Sequence, residues 1–545
     1  LTGIVYWAGY FQAWQNRVRD FVPGETMYGD IRYEAVWLDK PQTIRDLFLN
    51  GESQFLWRKD KPLYIGEFLW VPAPDPAANT VFFGDESYRD YQRYRIRGKA
   101  ESWSMAILGY RHFGVNGICP WTVMEGGPLN SSNELYNVSR YRYQPVAAFC
   151  LNYDSRFHSE ETVTRDVEIF NDCLEPSDLT LAWTLASADS NVVDRGSTKL
   201  QLKPAEHRQI AVELRMPKVN RASPLRWDLT LDRAGRKVFT DSHACKVYPP
   251  PVAPALDARI GIYDPDGKSR KLLEKSGWSV RSVQALDQTG TNVDILVICA
   301  GTLRSSTNGA VKVVGRVAPE RAALDAFLAR GGRVLVLEQD VYPEGLFDLT
   351  LTTHRSTMTF PLRGNHPVLR NLDDDDFRYW RGDHMVTLSE PARPARGGGR
   401  AIVVSGSASG IDFAPLQELP VGRGCIVFSQ LQLISKLESE PAAAILLNNL
   451  LEYLATYRPA TRPTLLAGGT PEYAARLEEL GLRFKTAAPS ARAEPPAGAL
   501  LICRGDPAGG LNLRSFVEQG GNLYLHRLTA AGLAAVARDF SLDLE

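Results

Sequence analysis

One carboxylate in the stretch 61–70 is placed where it could do chemistry. Residues 63–65 lie between a proline and a glycine, and so short an apolar run predicts a buried strand rather than a helix. Glu67 follows directly, with Phe68 and Trp70 beside it. An ionised carboxylate is costly at the end of a buried strand unless it is paired, hydrogen-bonded or used in a reaction. Glu67 is therefore expected to be either a reactive group or the partner of an Arg or Lys.

A helix and a second strand follow, and they decide what Glu67 faces. Residues 88–109 carry apolar and aromatic side chains at helical spacing, and residues 113–121 predict a turn and a short buried strand that ends in Trp121. Strand, helix and strand in this order predict a βαβ unit, whose parallel strands place both carboxyl ends at one rim. Glu67 and Trp121 are therefore expected to face one pocket, with Glu125 four residues further on. In a (β/α)8 barrel this rim carries the catalytic groups.

Aromatic residues are dense in residues 1–60, where clear periodic elements are few. Aromatic rings beside polar groups suit sugar rings, whose C–H faces stack while their hydroxyls hydrogen-bond. The alternative is that these aromatic side chains pack beneath long loops. Tyr6 and Tyr33 are the candidates for a hydroxyl group that orients Glu67.

Two motifs resemble those of a known enzyme family. Lys61-Pro-Leu-Tyr-Ile-Gly-Glu67 followed by Gly117-Ile-Cys-Pro-Trp121 resembles the seventh and eighth strands of the (β/α)8 barrel in clan A glycoside hydrolases, in particular the β-galactosidase-like members of family 2. The resemblance implies a retaining glycosidase that hydrolyses O-glycosidic bonds of oligosaccharides or polysaccharides, with Glu67 as nucleophile and Trp121 lining the sugar subsite. We expect a carbohydrate substrate and neither a cofactor nor a metal ion. Together with the neighbours named above, the candidate site comprises the catalytic Glu67 and the substrate-binding Trp121, Trp70, Glu125, Tyr33 and Tyr6.

The second carboxylate of such a site does not occur upstream of Glu67. In the family that the motifs resemble, the acid/base Glu follows an Asn at the end of the fourth strand. The only Asn-Glu pair here, Asn133-Glu134, comes after the eighth. An eight-stranded barrel needs about 250 residues, and only two or three of its strands fit into residues 1–128. We therefore expect residues 1–140 to be the C-terminal part of a barrel, the chain to belong to a longer protein, and the acid/base Glu to lie outside it.

The pattern changes to alternation in residues 141–250. β-branched and polar residues alternate there between recurrent turn signals, which predicts an immunoglobulin-like β-sandwich. Relatives in family 2 carry such sandwiches around their barrel, and we expect no active site in this one. A stiff proline-rich linker at 248–254 then marks a boundary.

Strands alternate with helices in residues 256–458, which predicts a parallel, doubly wound sheet interrupted by an insertion at about 341–400. The plan recurs in residues 462–545, which we expect to be a second, truncated repeat. Leu324-Asp-Ala-Phe-Leu-Ala-Arg-Gly-Gly332 recurs as Leu513-Arg-Ser-Phe-Val-Glu-Gln-Gly-Gly521, where the glycines predict a helix cap with a positive φ. The fold class is therefore multidomain α/β plus all-β, with the last strands of a barrel, a sandwich and tandem flavodoxin-like units.

Both α/β units resemble the class I glutamine amidotransferase-like fold, which some β-galactosidase families carry as a non-catalytic, oligomer-forming domain. The resemblance implies a homo-oligomer assembled through these units. A catalytic version needs a Cys on a Gly-x-Cys-x-Gly elbow, with a His and an acid behind it. Cys299, Cys425 and Cys503 lack those flanks. We therefore expect a structural or assembly role rather than glutaminase activity.

Composition argues against several other classes of function. The net charge of −1 gives no electrostatic basis for binding nucleic acid or an anionic membrane. No apolar run reaches the roughly 18 residues of a membrane span. The eight histidines are dispersed, which gives zinc no support in the sequence. Residues 373–376 are four consecutive aspartates that could hold Ca²⁺, but an unbroken run favours a solvated loop. The cellular compartment stays open.

Two interpretations of the function remain at this point. The first is a glycosidase in which Glu67 attacks an anomeric carbon. The second is a non-catalytic carbohydrate-binding or assembly protein built from a decayed barrel, a sandwich and amidotransferase-like units. A fluorinated glycoside separates the two, because only a working nucleophile gains covalent mass.

Overall fold

The structure, a computed structural model, describes most of the chain after residue 75 and short segments before it. The described residues are 42–46, 51–55, 62, 64–68, 76–112, 114–120, 122–288, 292–303, 317–395, 397–407, 409–459, 462–486, 498–507 and 512–542. Among the helices in these ranges, none combines the length and the apolar character that crossing a membrane requires. The same ranges contain no cluster of three or more His, Cys, Asp or Glu side chains suited to a metal ion.

The first described strands form two small sheets. β1 (Gln42–Asp46) and β2 (Gly51–Phe55) pair antiparallel, whereas β3 (Tyr64–Phe68) and β4 (Gly117–Pro120) pair parallel. Helices Thr80–Phe83 and Tyr91–His112 separate β3 from β4 in the chain, and helix Glu134–Arg142 follows. The parallel pairing confirms the predicted strand–helix–strand unit, although the helix expected at 88–109 is observed at Tyr91–His112.

One face of helix Tyr91–His112 forms the core of this part of the chain. Trp103, Ile107 and Tyr110 recur at helical spacing and are fully buried. The same apolar cluster includes Phe360, from a segment far along the chain. The helix therefore packs against a distant segment as well as against its own neighbours.

Residues 146–248 form a sandwich of two sheets. Its strands are β5 (Val146–Cys150), β6 (Arg156–His158), β7 (Thr162–Asn171), β8 (Ser177–Ser187), β9 (Val192–Leu202), β10 (Glu206–Arg215), β11 (Ser223–Arg233) and β12 (Arg236–Tyr248). One sheet has the order β10-β7-β5 and the other β6-β12-β11-β8-β9. Along β11, Leu225, Trp227, Leu229 and Leu231 are buried in the core while the residues between them are more exposed. The predicted β-sandwich is confirmed.

The next sheet contains eight strands, and five of them run parallel. The strands of this region are β13 (Ile260–Tyr263), β14 (Arg281–Ser282), β15 (Ile295–Ile298), β16 (Arg333–Val336), β17 (Leu351–Thr352), β18 (Phe360–Pro361), β19 (Glu390–Pro391), β20 (Arg400–Ser407), β21 (Gly410–Val421) and β22 (Gly424–Ser429). Its helices are Lys268–Lys275, Val317–Ala329 and Pro441–Thr456. The sheet order is β14-β13-β15-β16-β22-β21-β20-β18, and its parallel part follows the flavodoxin-like order 2-1-3-4-5.

The predicted parallel sheet is present in β14, β13, β15, β16 and β22. It continues in β21, β20 and β18, which pair antiparallel and were not expected. β21 and β22 are joined by only two residues, Gly422 and Arg423. Parallel neighbours need a long crossover, so such a connection can only make a hairpin. Gly422 has a φ of +59°, as a hairpin turn of this length requires.

The last sheet repeats the strand order of the preceding one. β23 (Thr464–Ala467), β24 (Lys485–Thr486), β25 (Leu500–Arg504) and β26 (Asn522–His526) are all parallel, in the order β24-β23-β25-β26. Helices Pro471–Glu479, Leu513–Glu518 and Ala530–Phe540 accompany them. This is the order 2-1-3-4 of the first four strands of the larger sheet.

The glycine pairs of the two repeats have the same geometry. Gly331 and Gly520 have φ values of +96° and +85° after their helices. A Cβ on Gly332 would lie 2.5 Å from the ring of Phe327, and a Cβ on Gly521 would lie 2.4 Å from the ring of Phe516. The predicted internal repeat is therefore present in the backbone as well as in the sequence.

A buried carboxylate joins helix Tyr91–His112 to the sandwich. Glu168 of β7 accepts hydrogen bonds from His112, 2.8 Å away at the end of helix Tyr91–His112, and from His207 of β10. Burial alone would raise the pKa of Glu168, but the two histidine hydrogen bonds outweigh it and lower the pKa to about 2. Glu168 is therefore an ionised link between two parts of the chain.

The acidic run 373–376 also links two parts of the chain. Asp373 caps the short turn Asp374–Phe377, while Asp376 is 1% exposed. Tyr248 and Lys246 of β12 both donate hydrogen bonds to the Asp376 carboxylate. The expected solvated loop is therefore wrong for Asp376, because its partners come from a strand that adjacent sequence cannot reveal.

Candidate active site at the carboxyl ends of two parallel strands

The backbone of Glu67 lies at the edge where catalytic groups were expected. Glu67 is the fourth residue of β3, and the last residues of the two strands, Phe68 and Pro120, are paired. The register shifts between Ile65 and Phe68, so the strand is irregular at Glu67. Such irregularities re-aim side chains and are common beside active sites. The carboxyl ends of β3 and β4 therefore meet at one edge, with Glu67 next to it.

Four of the other candidate residues belong to segments that the structure does not describe. Trp121, Trp70, Tyr33 and Tyr6 lie outside the described residues. Their assigned roles stay predictions, as does the catalytic role of Glu67.

Glu125 is described, and it lies in a network of ion pairs. Its Oε2 is 3.0 Å from Nη2 of Arg95 and 2.8 Å from Nζ of Lys99. Lys99 is only 4% exposed, and its Nζ lies 5.4 Å from the ring centroid of Trp103. Burial lowers the pKa of Lys99, whereas Glu125 opposes that change. Glu125 therefore neutralises two cations of helix Tyr91–His112, a role that the sequence did not indicate.

This network holds the turn that follows β4. Glu125 belongs to the short helical turn Val123–Gly126, which Asn133 supports from the other side. The Asn133 side chain donates to the carbonyls of Val123 and Gly127, at 2.9 and 3.0 Å, and is completely buried. The ion pairs and the amide together fix the backbone immediately beyond Trp121 in the chain.

The Asn133-Glu134 pair is unlike the Asn-Glu pair of an acid/base site. Asn133 Oδ1 accepts a hydrogen bond from the Tyr136 amide and so caps helix Glu134–Arg142. Glu134 is therefore the first residue of a helix rather than the last of a strand. The location of the acid/base Glu outside the chain stays a prediction.

The cysteines of the α/β units are not activated. Burial raises the pKa of the Cys425 thiol to about 12 and that of Cys503 to about 11. Burial also raises the pKa of Cys299, which is completely buried. A nucleophilic cysteine needs the opposite shift. These three thiols therefore give no support to glutaminase chemistry.

Comparison with known proteins leaves the family open. No family model matches the sequence, and no curated protein matches it. Solved structures that match in part include Bacteroides uniformis β-glucuronidase, with 16% identity, a TM-score of 0.16, and coverage of 36% of this chain and 24% of that one. Another is a cycloisomaltooligosaccharide glucanotransferase from Paenibacillus sp. complexed with cycloisomaltoheptaose, with 12% identity, a TM-score of 0.18, and coverage of 35% and 28%.

A third partial match is E. coli alpha-2-macroglobulin, with 18% identity, a TM-score of 0.16, and coverage of 19% of this chain and 7% of that one. The chain thus covers less than a third of the length of each of these three proteins. Two of the three are named for action on glycosides, but likenesses with such low TM-scores carry no argument about this chain.

Proposed function

We propose that the chain is the C-terminal part of a retaining glycoside hydrolase and that Glu67 is its nucleophile. The observation that carries the proposal is the parallel pairing of β3 and β4, with the register shift at Glu67. It supports the proposal because the catalytic groups of (β/α)8 enzymes lie at the carboxyl ends of parallel strands. The two motifs that resemble β-galactosidase-like enzymes lie on these same strands.

In the proposed reaction, a Glu67 carboxylate oxygen attacks the anomeric carbon of the substrate. The bond to the leaving-group oxygen breaks, and an acid/base carboxyl group donates a proton to that oxygen. In retaining enzymes the two carboxyl groups lie about 5–5.5 Å apart. The acid/base group, now ionised, then removes a proton from a water molecule. The water oxygen attacks the anomeric carbon and displaces Glu67, which releases the sugar with its original anomeric configuration.

The remaining candidates would bind the sugar. Trp121 and Trp70 would stack against its C–H faces, and a tyrosine, Tyr6 or Tyr33, would orient Glu67. Glu125 would have to share its carboxylate between a hydroxyl group and the two cations that it already contacts. We therefore expect Glu125 to act mainly by positioning the segment after β4.

The first test is kinetic, in the full-length protein that contains this chain. Glu67→Gln is expected to reduce glycoside turnover by several orders of magnitude, because it removes the nucleophile and keeps the side chain's shape. Glu478→Gln is the matched control, since Glu478 is an exposed carboxylate on helix Pro471–Glu479. Circular dichroism should be the same for both variants.

Chemical rescue separates loss of the nucleophile from general damage. With Glu67→Gly, azide should enter the vacated space and give a glycosyl azide of inverted anomeric configuration. Turnover by Glu67→Gln at the rate of Glu478→Gln would overturn the proposal. Saturable sugar binding without turnover in the unmutated protein would support the carbohydrate-binding interpretation instead.

A further inference from the structure

A cavity of about 420 Å³ lies between two segments that are far apart in the chain. Part of its wall comes from residues 82–101, and the other part comes from residues 358–379. Phe82 and Phe360, which line it, belong to one buried apolar cluster, so the two walls are packed together at its base. The cavity is therefore built by tertiary packing and leaves no local mark in the sequence.

Two arginines enter this cavity with their guanidinium groups held against aromatic rings. Arg97 Cζ lies 5.2 Å from the ring centroid of Phe83 and 5.7 Å from that of Tyr94. Arg378 Cζ lies 5.5 Å from the ring centroid of Phe360. Stacking of this kind holds the planar fork in one orientation and leaves its N–H edge available to a ligand.

Neither guanidinium forms an ion pair with the described residues. No carboxylate of the described chain lies within ion-pair distance of Arg97 or Arg378, and the Arg378 Nε is buried without a hydrogen-bond partner. Arg89 differs, because its guanidinium is 2.6 Å from Glu86 and 3.5 Å from Asp85. Two of the three arginines that line the cavity thus make no ion pair in the described part of the chain, although their charges act on Glu101 of the same cavity.

The Glu101 carboxylate lines the same cavity. Burial raises its pKa there, and the charges of Arg97, Arg142 and Arg378 oppose that rise. Asp374 also lines the cavity and is exposed. The lining therefore combines three arginines with four carboxylates, those of Asp85, Glu86, Glu101 and Asp374. The two arginines without an ion pair can bind an acid group, and the carboxylates can accept hydrogen bonds from hydroxyl groups.

We propose that this cavity binds a saccharide that carries a carboxylate, that is, a uronate residue. Its carboxylate accepts hydrogen bonds from the Arg97 and Arg378 guanidinium groups, and its hydroxyls donate to Glu101. The choice of a sugar rests on the proposed glycosidase function, whereas the arginine pair requires only a carboxylate. A volume of about 420 Å³ accommodates one or two sugar rings.

Isothermal titration calorimetry on the full-length protein tests this inference. The probes are digalacturonate and diglucuronate, with the neutral galactobiose and cellobiose as matched sugars and glutamate as a carboxylate without a sugar ring. We expect at least tenfold tighter binding of one uronate than of its neutral counterpart or glutamate. Arg97→Gln and Arg378→Gln should each weaken uronate binding at least tenfold.

Arg93→Gln is the matched control, because Arg93 lies on the same helix and stacks on Tyr94 without lining the cavity. It should bind like the unmutated protein. Two arginine variants are used so that the test does not depend on one of them folding. If the circular dichroism spectrum shows that one variant is unfolded, the other variant decides the result. Equal binding of neutral and acidic sugars, equal binding of glutamate, or unchanged uronate binding by the folded variants would overturn the inference.

The two proposals fail separately. Uronate binding that depends on the arginines, with full turnover by Glu67→Gln, would refute the nucleophile and leave the cavity's ligand standing. Loss of turnover by Glu67→Gln without uronate binding at the cavity would refute the cavity's ligand and support Glu67 as the nucleophile.

Discussion

Replacing Arg156 by methionine is expected to open the joint between the sandwich and the following α/β unit. Arg156 is 2% exposed, and its Nε lies 2.8 Å from Oε1 of Glu440, which is 0% exposed. Its Nη1 donates to the Asp375 carbonyl at 2.7 Å, and its Nη2 donates to the Tyr379 carbonyl at 3.0 Å. The substitution removes all of these donors at once and leaves the Glu440 charge buried without a cation.

The expected cost is about 3–5 kcal/mol, the usual result of breaking a buried ion pair from one side. Since about 1.4 kcal/mol corresponds to a factor of ten in an equilibrium constant, local opening should become at least roughly a hundredfold more frequent. Hydrogen exchange measured by mass spectrometry reports this opening directly. Amides in peptides that cover residues 375–381 should exchange faster by that factor, whereas peptides from β23–β26 should be unchanged.

Two further variants make the measurement decisive. Arg208→Met is the matched control, because Arg208 and its partner Glu206 form a more exposed pair, for which about 0–1 kcal/mol is expected. Arg156→Met combined with Glu440→Gln should recover part of the loss, since no unpaired charge stays buried. Exchange in residues 375–381 of Arg156→Met within threefold of the unmutated protein would refute this account of the joint.

Three other substitutions follow from buried contacts. Glu168→Gln should flatten the pH dependence of urea unfolding, because the carboxylate, whose pKa is lowered from 4.5 to about 2, contributes roughly 3 kcal/mol above pH 4.5 that is lost as the pH falls towards 2. Gly406→Ala should cost about 1–3 kcal/mol or more in the same assay, because its Cβ would lie 2.2 Å from the Thr80 backbone. Glu125→Gln should cost about 1–3 kcal/mol, because the buried Lys99 ammonium would lose its carboxylate partner.

Each of these expectations has its own control and its own contradictory result. An unchanged acid limb of the stability curve in Glu168→Gln would show that the two histidines do not hold this carboxylate ionised. Gly364→Ala adds a Cβ where no atom lies within 4 Å, and it should unfold like the unmutated protein. If it costs as much as Gly406→Ala, close packing is not the cause. For Glu125→Gln the control is Glu478→Gln, and equal stability of the two would mean that Lys99 does not need its partner.

The sequence was informative where one short segment decides the outcome. Short apolar runs predicted β3 and β4 and their parallel pairing, and alternation predicted the strands of the sandwich. The second α/β sheet was predicted from a repeated segment that ends in a Gly-Gly helix cap. The positive φ of Gly331 and Gly520 in these caps is a local property, so the sequence of the segment was enough to predict it. The two-residue connection Gly422-Arg423 also determines the antiparallel pairing of β21 and β22, because it is too short for a parallel crossover.

The charged side chains could not be assigned in the same way, because their partners are remote. Glu125 was expected to bind substrate, and Asp376 was expected to lie in a solvated loop. In the structure both carboxylates are held by cations or hydroxyl groups from other elements. The cavity that contains Arg97 and Arg378 arises only when two distant segments pack together. Oligomerisation through the α/β units stays a prediction for the same reason, since it depends on a surface that a single chain does not reveal.

The most direct test of the central claim is to trap the nucleophile. The full-length protein would be incubated with a 2-deoxy-2-fluoro glycoside that carries a good leaving group, and the intact mass would be followed over time. We predict a gain of one fluorosugar per chain, carried after proteolysis by the peptide that contains Glu67 and absent from Glu67→Gln. An adduct on another carboxylate, while Glu67→Gln labels at the same rate, would contradict the assignment of Glu67 as the nucleophile.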